Sequence, residues 1–141
     1  MTYLLDTNVI SELIRPRPEP LVVGWLADVD EDRVFLSVVT LAELEKGVRL
    51  LADGQKRQRL EQWLENDLAQ RFEGRVLDIT PEIARQWGSV TAARQRAGRP
   101  MAMLDAFLVA TALQRAFTLV TRNDRDFADT GVDVLNPWSQ S

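Results

Sequence analysis

The chain has 141 residues, 45% of them hydrophobic and 27% charged, a composition suited to one folded domain spanning 1–141. It holds no cysteine and no histidine, which excludes disulfides, thiolate metal sites, cysteine nucleophiles and the usual general base. A formal net charge of -4 argues against a module that coats nucleic acid through bulk positive charge, and leaves carboxylates, hydroxyls, amides, arginine and bound ions to carry any chemistry.

Tyr3-Leu4-Leu5 reads as a short strand, followed at once by Asp6-Thr7-Asn8 and a helical apolar pattern at Val9, Ile10, Leu13 and Ile14. Three prolines between Arg15 and Pro20 demand a loop, and Leu21 to Ala27 follows as a short helix. A turn over Asp28 to Asp32 leads into a second strand, Val34 to Ser37. Thr40 is expected to open the next helix, with Leu41, Leu44, Val48 and Leu51 on one face, and Gln55 to about Phe72 forms a longer amphipathic helix. Arg75 to Ile79 is strand-like. Thr80-Pro81-Glu82 then starts a helix that stops at Gly98, with a cap residue followed by proline at the first helical position. Leu104 to Ala116 is an alanine-rich helix, Thr118 to Thr121 a strand, Arg122 to Phe127 a turn and Val132 to Leu135 a last strand.

Strands alternating with helices imply an α/β fold, an α/β/α sandwich around a central parallel sheet of four to five strands. Right-handed crossovers put the loops leaving the strands on one edge, where such folds bind ligands. No segment approaches the roughly 18 apolar residues of a membrane span, and the opening residues lack a basic flank followed by a long apolar stretch. A cytoplasmic location is expected.

The acids fall where this scheme places a site. Asp6 ends the first strand, Glu43 is expected in the first turn of the helix after the second, and Asp105 opens the alanine-rich helix. Asn123, Asp124 and Asp126 occupy the turn after the fourth strand. Each has an ordinary alternative. Asp6 reads as a helix N-cap, Thr40 to Glu43 as a capping box, Asp105 as a first-turn acid and Asp124 and Asp126 as turn residues. Together they say more, because carboxylates gathered in a crevice repel and call for a cation. A hard divalent ion such as Mg²⁺ prefers carboxylate oxygen and activates water for attack on phosphorus without histidine.

Four blocks then resemble one family. Leu4 to Glu12 with Asp6-Thr7-Asn8, Ser37 to Leu44 with Gly47, Asp105 to Ala112, and Thr121-Arg122-Asn123 with Asp126-Phe127 look like PIN-domain toxins, and Leu135-Asn136-Pro137-Trp138 resembles the VapC and FitB branch. The resemblance covers nearly the whole chain in order. It implies the toxin of a bacterial toxin–antitoxin pair, an endoribonuclease using Mg²⁺, with Mn²⁺ as substitute. It implies a homodimer, an antitoxin whose peptide blocks the acidic crevice, and contact with operator DNA only through that antitoxin. Asp6, Glu43 and Asp105 carry over as metal-binding acids. For the fourth position the order is Asp126, Asn123, then Asp124, and Thr7, Asn8 and Thr121 are expected to orient the ligands from behind.

An acid ending the first strand also suits an aspartyl-phosphate phosphatase. Such enzymes need a second acid where this chain has Asn8 and a late lysine, whereas the only lysines here are Lys46 and Lys56. A second alternative is a catalytically weak binding subunit of a toxin–antitoxin repressor complex. Arg94, Arg96 and Arg99 suit either phosphate contacts or a solvated helix end. Lys56, Arg57 and Arg59 carry the same two readings.

Overall fold

In the computed structural model, which describes residues 1–139, β1 (Tyr3–Leu5) and β2 (Val34–Ser37) keep their expected bounds. Between them lie α1 (Thr7–Leu13) and α2 (Pro20–Asp28), the latter opening on a proline whose missing N–H has no helical partner to lose. The next helix corrects the sequence reading. α3 (Val38–Arg49) begins two residues before Thr40, and its cap is Ser37, whose Oγ accepts the Val39 N–H at 3.1 Å. Thr40 therefore lies inside the helix and no capping box forms. Its hydroxyl is fully buried and has no hydrogen-bond partner among the described residues.

The long helix expected from Gln55 is present but not uniform. α4 (Gln55–Gln62) widens into a π-helical stretch at Trp63–Leu68 and closes as α5 (Ala69–Arg71), with Phe72 buried just beyond. β3 is shorter than expected, Val76–Leu77. α6 (Pro81–Arg96) is capped by Thr80, whose Oγ1 accepts the Ile83 N–H, and it stops at Gly98 in the left-handed region at φ +71°. α7 (Met103–Arg115), β4 (Thr118–Val120), a 3₁₀ turn (Asp124–Phe127) and β5 (Val134–Leu135) complete the described chain. The two-residue strands fall short of prediction because ladder pairing ends before the apolar pattern does.

The five strands form one parallel sheet in the order β3-β2-β1-β4-β5. Leu4 sits opposite Phe35 on one side and Leu119 on the other, so β1 is central and its Leu4 and Leu5 are wholly buried. Strands covered on both faces read as continuous apolar runs, which is why Tyr3-Leu4-Leu5 shows no alternation. Leu5, Leu36 and Val120 face one layer, where they meet Val9 and Ile10 of α1, Leu26 of α2 and Phe72. Leu4 and Leu119 face the other layer, against Leu108, Val109 and Ala112 of α7 and Phe127. The result is an α/β/α sandwich.

The strand order decides where a site can form. From β1 the chain steps outward through β2 to β3, then crosses to the other flank for β4 and β5. The direction of winding thus reverses between β1 and β4, and the loops leaving those two strands part to open a crevice at their carboxyl ends. Asp6 follows β1 and Thr121 follows β4, one on each side of that opening. Among the described residues, no helix is long and apolar enough to cross a membrane.

Candidate active site

Asp6 ends β1 and caps α1, so the ordinary and the functional readings of this residue hold together. Its Oδ1 accepts the Thr7 N–H at 2.7 Å, while Oδ2 accepts the Thr121 hydroxyl at 2.8 Å and the Asn8 amide at 3.3 Å. The Asn8 amide also reaches Thr121 Oγ1 at 3.4 Å, and Asn8 Oδ1 accepts the Arg122 N–H at 3.3 Å. Thr121 Oγ1 in turn accepts the Asn123 N–H at 3.0 Å. This network bridges the two lips of the crevice, and it leaves Asp6 only 6% exposed with both oxygens oriented.

Glu43 projects from the second turn of α3 toward α1. With no capping box to occupy it, its Oε1 accepts the Thr7 hydroxyl at 2.7 Å. Thr7 therefore touches two acids, Asp6 through its backbone and Glu43 through its side chain. Asp105 stands in the first turn of α7, half-buried, where the helix N-terminus lacks any side-chain cap. Asp126 lies on the exposed 3₁₀ turn after β4.

The charges of the neighbouring acids bear on Asp6 and Asp105. Burial raises the Asp6 carboxyl above its ordinary value, hydrogen bonds from Thr121 and Thr7 pull it back, and the charges of Glu43 and Asp126 push it further up. Burial also raises Asp105, and the charges of Asp6, Glu43 and Asp126 add to this, bringing it to about 6. None of the four joins an ion pair among the described residues. The four acids thus meet no direct cationic partner, although arginines line the hollow beside Asp105 and Asp126.

The chain has relatives among known proteins. A model of the PIN domain matches residues 3–133. Toxin FitB of Neisseria gonorrhoeae is 39% identical over 135 residues, which is 96% of this chain and 97% of FitB. This chain belongs to the PIN-domain family. Within it, the VapC ribonuclease Y4jK of Sinorhizobium fredii is 32% identical, with 96% of each chain covered. The solved structure of FitAB bound to a DNA fragment superposes with a TM-score of 0.93 at 36% identity, covering 99% of this chain and 98% of its counterpart. The chain is thus a PIN domain of the VapC and FitB type.

In this PIN domain Asp6, Glu43, Asp105 and Asp126 are brought to one crevice, and Thr7, Asn8 and Thr121 hydrogen-bond the acids as described. Asp124 is exposed, and its charge is not among those that raise Asp6 or Asp105. Asn123 takes part in the network through its backbone N–H. The donor set is all hard oxygen with no direct cationic partner, which fits a divalent cation such as Mg²⁺ and not a soft transition metal. Among the described residues no three acids form a closed ligand cluster. That spacing is compatible with an ion that keeps much of its water and takes one or two carboxylates directly.

Two neighbouring hollows escaped the sequence reading. An apolar groove of about 700 Å³ runs between α1, α3 and α4, from Thr7 and Glu43 past Ile14, Val48 and Leu60 to Trp63. A second hollow of about 480 Å³ is lined by Arg94, Arg99 and Arg125 together with Asp105 and Asp126. The signal for the first was present as apolar positions on three separate helices. For the second it was weak, because Arg125 stands alone between two acids in the sequence.

Proposed function

We propose that this protein is a metal-dependent endoribonuclease, the toxin of a bacterial toxin–antitoxin pair. One observation carries the reading: four carboxylates from separate parts of the chain converge without a direct cationic partner at the sheet's reversal point. The ribonuclease name of the VapC relative supports the substrate class. Asp6, Glu43 and Asp105 would hold Mg²⁺, or Mn²⁺ in its place, one or two of them directly and the rest through its water, with Asp126 at the fourth position. A bound ion of this kind lowers the pKa of a water and offsets charge developing on a phosphodiester.

The protein's own part is orientation. Thr121 and Asn8 fix the direction in which Asp6 presents its free lone pairs, and Thr7 fixes Glu43. Such supporting hydrogen bonds typically govern activity by about 10–100-fold. Asp105, which keeps its proton up to about pH 6, becomes a full anion only above that pH or when a cation arrives.

The FitAB and VapBC structures are of toxin–antitoxin complexes, some of them with DNA. An antitoxin partner for this chain follows from that likeness, and the apolar groove ending at Thr7 and Glu43 suits an apolar antitoxin segment that covers the acids. Operator DNA would be reached through the antitoxin, consistent with a chain of net charge -4. We place the protein in the cytoplasm, as a homodimer.

The test is cleavage of total RNA by purified protein, with Mg²⁺ or Mn²⁺ and then with chelator, beside Asp6→Asn. The expected result is discrete fragments that vanish with chelator and in the variant. Cleavage that survives both would point to a contaminant and overturn the mechanism. Folded, antitoxin-free protein that binds metal but cleaves no RNA would instead favour the binding-subunit role.

A further inference from the structure

Resting on the ribonuclease reading, we propose that Arg94, Arg99 and Arg125 form a docking site for an RNA backbone phosphate next to the one that is cut. Arg94 leaves the last turn of α6, Arg99 follows the Gly98 stop, and Arg125 lies on the 3₁₀ turn after β4. Two segments remote in sequence, the end of α6 and the turn after β4, thus bring guanidinium groups to one hollow of about 480 Å³. Pockets of roughly 300–1,000 Å³ accept ligands of nucleotide size. Pro100, Met101 and Ala102 supply the rest of the lining, and the surface exposed in the hollow is mostly polar, as suits a phosphate.

The arginines are under-used within the chain. Arg94 donates one long bond, Nη1 to the Ala128 carbonyl at 3.4 Å, and its buried Nε has no partner among the described residues. A guanidinium carries five N–H donors in a planar fork, so most of Arg94's capacity is unfilled. Arg99 pairs with Asp129 at 3.2 Å, an exposed contact that water and salt readily weaken. Arg125 has no ion pair among the described residues, although Asp124 and Asp126 flank it in sequence. Phosphate oxygens match the guanidinium fork in pairs.

An RNA backbone fits this hollow better than an acidic peptide does. Asp105 and Asp126 line the same hollow. A strand whose one phosphate lies against these acids through a cation presents its next phosphate to the arginine wall. A peptide carboxylate entering alone would meet the repulsion of both aspartates. The proposal also accounts for a chain of net negative charge handling RNA, since the positive field is confined to one wall beside the acids.

The test separates binding from cleavage. A fluorescein-labelled single-stranded RNA of mixed sequence is titrated with Arg94→Gln and Arg125→Ala, each with Asp6 intact and Ca²⁺ in place of Mg²⁺, across a salt series at constant Ca²⁺. Arg49→Gln on the far end of α3 is the charge-matched control. Expected is a loss of about tenfold in affinity per groove arginine, with the log–log salt slope shallower by about 0.7 for each lost phosphate contact. The control should keep its affinity. In the otherwise wild-type enzyme the same variants should raise KM and leave kcat within about twofold. Thermal melts verify folding, and Arg94→Lys, which keeps the charge but loses the fork, should fall between wild type and Arg94→Gln. Wild-type affinity and slope in both variants, with RNA cleavage intact, would overturn the phosphate site and leave the ribonuclease reading standing. Neither binding nor cleavage of RNA by the parent protein would remove the reading and this inference together. Competition by a poly-glutamate peptide but not by RNA would assign the wall to a protein partner and overturn it as well.

Discussion

Asp105 shows how the site's chemistry acts on stability. Its carboxyl is raised from an ordinary value of 3.8 to about 6, first by burial and then by three neighbouring charges. In the metal-free protein the folded state therefore binds more protons than the unfolded state between about pH 4 and pH 6. Stability must fall as pH rises through that window and stay lower above it. Taken whole, such a shift corresponds to about 3 kcal/mol, but this carboxyl is half exposed to water, and about 1 kcal/mol is the realistic effect. Asp105→Asn should stabilise the protein in chelator by that amount at pH 7 and by nothing at pH 4. Melting curves of both proteins across this range check it, and parallel curves at every pH would show that the acids do not repel. At this scale the sequence was informative about Asp6, because an acid directly after a strand has few places to go. It was less informative about Asn123, Asp124 and Asp126. Their order depends on which way a short turn faces, and that orientation is set by packing of Phe127 and not by any local pattern.

At the scale of elements, one misreading bears directly on the site. Thr40 to Glu43 has the spacing of a capping box, yet the helix starts two residues earlier, because Ser37 at the end of β2 already supplies the cap. Glu43 is thereby freed to turn toward Thr7, and Thr40 is left buried with an unpaired hydroxyl. The two residues should respond in opposite ways. Ser37→Ala removes a cap and should destabilise by about 1 kcal/mol. Thr40→Val removes a buried, unsatisfied hydroxyl and keeps the branched shape, and should stabilise by about 1 kcal/mol. Chemical denaturation of both variants decides the matter, since a true capping box would make Thr40→Val the damaging change. The helices themselves were legible from apolar spacing and from the Thr80-Pro81 start. Strand ends and the π-helical stretch at Trp63–Leu68 were not, because both depend on contacts with neighbouring elements.

Across the whole molecule, alternating strands and helices announced a parallel sheet, but not its strand order. That order is the decisive quantity, since it alone puts the reversal between β1 and β4 and so brings Asp6 and Thr121 to opposite lips of one crevice. The groove was invisible, and of the arginine wall only Arg94 and Arg99 were legible, because Arg125 joins them only in the folded chain. The assembled acidic crevice leads to a prediction that belongs to the molecule as a unit. A cation that binds the folded state and not the unfolded chain stabilises by mass action, by about 2.7 kcal/mol at a hundredfold excess over its Kd. For a domain of this size that is a rise in Tm of roughly 5–10 °C. The gain should appear at pH 7.5, where Asp105 is ionised, and shrink at pH 5, where the proton competes with the ion for the same carboxyl. Ca²⁺, another hard cation, should substitute in part, whereas the same ionic strength of NaCl should not, which separates site binding from general screening of a chain with net charge -4. Asp6→Asn should abolish the Mg²⁺ response while leaving the NaCl response unchanged. A Tm that rises equally with both salts, or equally at both pH values, would mean that the four carboxylates do not act as one cation site.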